Sequence, residues 1–206
     1  MADAEVTEQG LFPAEHRALR ELYASTRHLQ RHWERLAGRL GGAAANPLRD
    51  GARLAGGLLG ELTARAAAHD LHGFPAATGT GGRFADARNA LGDVLLERNQ
   101  ALRLAVLDVQ HVRTLLGYAA ALADARGDAG LATFHSGWED RLAPVEAATR
   151  DAAIAEGRDP EAALGPAHPG ALGRAGRRLS SVAGAAGEVI DASPLGRAAR
   201  RVAQRD

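Results

Sequence analysis

Few residues in this chain have the type and spacing to do chemistry, and all the candidates are histidines and carboxylates. His28 and His32 stand four apart in RHLQRH, the separation at which one helix face can offer two imidazoles to a metal ion. Asp108 and His111 form a D-x-x-H, and His135 is followed one turn later by Glu139. Against the apolar pattern around them, His28 points outward, His32 lies at the margin of the apolar stripe, and His111 faces away from it. His135 falls on an inward face with Glu139 on its shoulder, which makes it the best candidate for a buried polar site. The expectation is a chain with no cofactor, in which His28 and His32 belong to a solvated face and His135 bonds a backbone carbonyl or Thr26. The alternative is a metal set of His135, Glu139 and Asp108, with iron or manganese as the ion. His69 and His72 straddle a helix end, where cationic side chains satisfy carbonyls left over by the helix.

Other chemistries find little support. The chain has no cysteine, so it has no disulfide, thiolate ligand or thiol nucleophile. None of Ser25, Ser136, Ser180, Ser181 and Ser193 lies in a G-x-S-x-G setting. The glycine-rich stretch 72–82 (HGFPAATGTGG) could cradle an anion at a helix start, but it matches neither GxxxxGK[ST] nor GxGxxG and reads as an interhelix connector. All 25 basic residues are arginine and equal the acids in number. A net charge of zero argues against general nucleic-acid binding.

The elements that must position these side chains are helices. Only 4% of residues are aromatic, so a core has to be built from Ala, Leu and Val, whose small side chains favour close helix packing. A helix opens at Pro13 and stops at Gly41-Gly42, with Leu19, Leu22, Thr26, Leu29, Trp33, Leu36 and Leu40 forming one seam. Asn46-Pro47 starts a second helix reaching about Asp70. It contains Gly51, Gly56, Gly57 and Gly60, each costing on the order of 1 kcal/mol relative to Ala. Such a helix is either weak or pressed tightly against a neighbour.

A third helix is expected over 83–126, where apolar residues recur every three or four positions without a proline until Gly127-Asp128. A fourth runs over 129–156, with Pro144 inside it as an expected kink. No strand pattern is present. Gly165-Pro166 and Pro169-Gly170 form a linker to an amphipathic stretch carrying Leu172, Leu179, Val182 and Ile190. From Gly165 onward seven arginines face three acids, so the tail is basic and the preceding body acidic.

Two strings resemble the ferritin-like superfamily, nearest its YciF-type branch. ELYASTRHLQRHWERLA (21–37) is similar to that branch's first helix, and QHVRTLLGYAAALADARGD (110–128) to its third-helix E-H-Y-E string and the turn after it. The likeness covers roughly 17–156. It implies two antiparallel helix hairpins around a di-metal carboxylate site, often in a dimer. Carried over by position, the first-helix Glu falls on Thr26 and the two third-helix acids fall on Gln110 and Arg113, while His111 is kept. The second helix has Gly and Leu where an acid and a His are expected.

The fold expected is therefore all-α: an antiparallel four-helix bundle, ferritin-like, with an extra C-terminal amphipathic helix. A disordered lead spans 1–12, the bundle 13–164, and the linker with its basic segment 165–206. The expected function is non-enzymatic association, as a stress-associated or scaffold-like homo-oligomer. The alternatives are a metal-dependent oxidoreductase, and a protein partner or anionic membrane surface bound through 172–206. A polar N-terminus and the absence of a long apolar run suggest a cytoplasmic protein.

Overall fold

A computed structural model describes residues 10–68 and 96–167. The start of the lead, the 72–82 connector, the stretch 83–95 and the amphipathic segment 172–206 all lie outside the described residues. Within them are four long helices: α1 (Pro13–Leu40), α2 (Ala45–Ala68), α3 (Arg98–Arg126) and α4 (Ala129–Ala155). A 3-10 turn, Glu156–Arg158, and one short helix, α5 (Pro160–Ala163), follow. The only β feature among the described residues is an isolated antiparallel bridge between Glu97 and Pro166. No helix among them is long and apolar enough to cross a membrane.

Helix ends follow local chemistry. Pro13 occupies the first turn of α1, where its missing N–H costs nothing, and Glu15 accepts the Phe12 N–H at 2.8 Å. Gly41 and Gly42, with φ of 61° and 58°, turn the chain into α2. Gly127, at φ 82°, ends α3, and the Asp128 carboxylate accepts the Leu131 N–H at 2.8 Å to open α4. These two residues alone join α3 to α4.

The start of α3 differs from expectation. Apolar periodicity extends the helix back through Leu96 and Glu97, yet Glu97 is extended and caps a helix that begins at Arg98. The cause is a segment distant in sequence: after α5 the chain returns, Gly165 accepts the Arg98 N–H at 2.8 Å, and Leu96 accepts the Ala167 N–H at 3.0 Å. Groups that would have continued the helix are used in this pairing, so 165–167 lie against the bundle end. Pro144 leaves α4 unbroken as a helix and sits on its exposed side, where the carbonyl deprived of its partner can meet water.

Each long helix packs on two others: α1 on α2 and α3, and α4 on α2 and α3. Side-chain pairs give the directions. Along α1 and α3, Glu15 meets Arg126, His32 meets Asp108, and the Leu40 carbonyl meets Arg98, so the two run antiparallel. Between α3 and α4, Arg113 meets Glu146 and Asn99 meets the Ala153 carbonyl, again antiparallel. Since α2 also runs against α1, through contacts of Gly51 with Trp33 and Gly56 with Gln30, α2 and α3 point the same way. Residues 69–97 connect them.

The interior is the seam read from the sequence. Leu22, Leu29, Trp33, Leu58, Leu102 and Leu116 are all but inaccessible to solvent. The glycines of α2 divide by surroundings. A Cβ on Gly51 would stand 2.1 Å from the Trp33 ring, and one on Gly57 would stand 3.1 Å from the Trp138 ring. Both tryptophans thus lie on α2 where it lacks side chains, which decides for tight packing at these two positions. Gly60 has nothing within 4 Å and has no such reason to be glycine.

Candidate functional site

The three residues expected to share a metal do not come together. Asp108 faces α1, where its Oδ2 lies 2.7 Å from His32 Nδ1. Glu139 lies along α3 near Gly117, nine residues from Asp108 or about 13 Å of helix. There its carboxylate is 3.7 Å from the Arg113 guanidinium. His135 is on the inward face as anticipated, 1% exposed, but neither ring nitrogen has a hydrogen-bond partner. Thr26 is equally buried and gives its hydroxyl hydrogen to its own helix, to the Leu22 carbonyl at 2.6 Å. Burial, reinforced by the Arg65 charge and only partly opposed by Asp128, lowers the His135 pKa to about 4. His135 is therefore neutral near pH 7 and, edge-on to the Phe134 ring at 5.1 Å between centroids, is part of the core.

A different group does assemble. His28, His32 and Asp108 each offer a ligand atom, and these atoms all lie within 4.8 Å of one another. Helical spacing stacks the two imidazoles, with ring centroids 5.5 Å apart and planes inclined by 31°. α3 supplies the carboxylate from the facing surface. His32 is buried while His28 and Asp108 are half-exposed, so the group opens to solvent on one side. An ionised carboxylate can only accept, so at 2.7 Å from it His32 Nδ1 carries the hydrogen. The His28–His32 spacing is plain in the sequence, whose apolar pattern sets His32 at the edge of a solvated face. It is instead buried because the flank of α1 beside Leu29 and Trp33 is covered by α3, a pairing that periodicity within α1 does not contain.

The remaining charges tie helices together. Arg126 reaches Glu15 at 3.0 Å with both side chains nearly buried, and it also reaches Asp128. At the opposite end of α3, Arg98 donates to the Leu40 carbonyl and to Glu156. Arg113 and Gln110 both donate to Glu146. Partial burial pushes the Glu146 carboxyl upward, but the two hydrogen bonds and the Arg113 charge outweigh it and hold the group below its ordinary value. His111, kept from the resembled string, is exposed, 3.5 Å from Glu21.

Among the described residues Glu15 is the single buried carboxylate, and it is paired with arginine. Large apolar side chains do stand outside: Leu104, Leu107 and Tyr118 on α3 are 42%, 58% and 50% exposed. No family model, curated protein or solved structure matches this chain.

Proposed function

We propose that the protein is an antiparallel four-helix bundle of ferritin-like type that acts by association, first with a second copy of itself, and not by turnover at an interior metal centre. The directions of the helices support the fold: α2 and α3 run parallel and are joined by one long connection, the arrangement of ferritin-like bundles. The observation that carries the association reading is the outer face of α3. Leu104, Leu107 and Tyr118 recur at near-helical spacing and are exposed together, although α3 already packs on two neighbours along its other sides. A second copy covering this row would remove apolar surface worth about 1.5–3 kcal/mol for each large side chain fully buried.

Sedimentation velocity of the full chain tests the reading. The native sequence is expected to sediment as a dimer at micromolar concentration, and Leu107→Glu as a monomer with unchanged helical circular dichroism. A native chain that stays monomeric, or a variant that still dimerises, removes this face as the interface.

A further inference from the structure

We infer that His28, His32 and Asp108 form a binding site for a divalent transition metal of the zinc type, bridging α1 and α3. It goes beyond the association reading and stands without it, because every ligand comes from one chain.

Two imidazoles and one carboxylate suit zinc and its first-row neighbours, whereas magnesium and calcium call for oxygen donors. Geometry follows. Two histidines four apart on a helix, as in the H-E-x-x-H of zinc proteases, reach one ion from one face, and H-L-Q-R-H repeats that separation here. Zinc holds nitrogen and oxygen at about 2.0–2.2 Å, which sets tetrahedral ligands about 3.4 Å apart. The His32 Nδ1 and Asp108 Oδ2 atoms, now in hydrogen-bond contact at 2.7 Å, have to part to admit the ion between them, and the whole group already lies within 4.8 Å.

On binding, the ion takes the place of the hydrogen between Nδ1 and Oδ2. Metal-bound through Nδ1, the His32 ring then carries its one hydrogen on Nε2. Burial of His32 holds one ligand in place before metal arrives, while half-exposed His28 and Asp108 leave an entry path. Three protein ligands leave a fourth position on the solvent side for water.

Full-length protein, freed of metal by chelation, is titrated with zinc against a chromophoric chelator. The expected result for the native chain is a high-affinity zinc site that weakens by at least about tenfold in His28→Ala and in Asp108→Asn. His111→Ala, exposed and outside the group, is expected to match the native chain. His28 is half-exposed, so its variant is expected to stay folded, which circular dichroism checks. The inference is overturned if zinc binds His28→Ala as tightly as the native chain, or if folded native protein takes up no zinc at micromolar concentration. Imidazole nitrogen shifts give a readout that a purely structural His32–Asp108 bond would not move: zinc is expected to displace the hydrogen from His32 Nδ1 and leave one on Nε2.

Discussion

The ring of Trp33 on α1 occupies the place where Gly51 on α2 would carry a side chain, with ring carbons 2.1 and 2.4 Å from the position of a Cβ and a Val145 methyl at 2.8 Å. A rigid indole, 0% exposed, cannot yield by rotation as a flexible chain end would. Gly51→Ala therefore forces α1 and α2 apart, and overpacking of this kind costs roughly 1–3 kcal/mol. Gly60→Ala on the same helix meets open space and gains about 0.5–1 kcal/mol from helix propensity and reduced unfolded-state entropy. Urea denaturation of the two variants is expected to shift the midpoint in opposite directions.

Glu15 and Arg126 pair across the α1–α3 seam with 3% and 7% of their side chains exposed. Arg126→Ala strands a buried carboxylate and is expected to cost about 3–5 kcal/mol. The double replacement Glu15→Leu with Arg126→Met removes both charges and is expected to recover most of that loss. A double-mutant cycle by urea denaturation checks this. A double variant no more stable than Arg126→Ala would show that the pair is not the source of the penalty.

His135 links stability to pH. Its pKa falls from 6.5 to about 4 on folding, so below pH 6.5 the unfolded chain binds a proton that the folded chain refuses. The stability due to the neutral ring is complete above pH 6.5 and is lost progressively as pH falls toward 4. The loss reaches on the order of 3 kcal/mol. His135→Leu removes two ring nitrogens that have no partner and should stabilise the protein at neutral pH by about 1–3 kcal/mol. It should also flatten this limb. Thermal melts of both proteins between pH 4 and 7 measure the difference.

Much of the architecture was legible from residue spacing. Leu22, Leu29, Trp33 and Leu36 recur at helical intervals because a helix places such residues on one face, and burying that face is what stabilises it. Pro13, Gly41-Gly42 and Gly127-Asp128 mark ends through backbone geometry that any context would impose. The inward position of His135 followed from the same periodicity. The false extension of α3 through Leu96 shows the limit of such reasoning, since 165–167 compete for its first backbone groups from far along the chain.

Periodicity tells a helix which face is apolar, but not which helix will cover it. That choice belongs to tertiary packing, and it decided three things here. It placed α3 on the flank of α1, burying His32 and bringing Asp108 to it across 76 residues of sequence. It set Gly51 and Gly57 under the two tryptophans, giving two of the α2 glycines a reason. It also left Leu104, Leu107 and Tyr118 outside, because α1 and α4 cover the other sides of α3. Local spacing acts over a turn or two of helix, whereas these relations depend on how whole helices fit together.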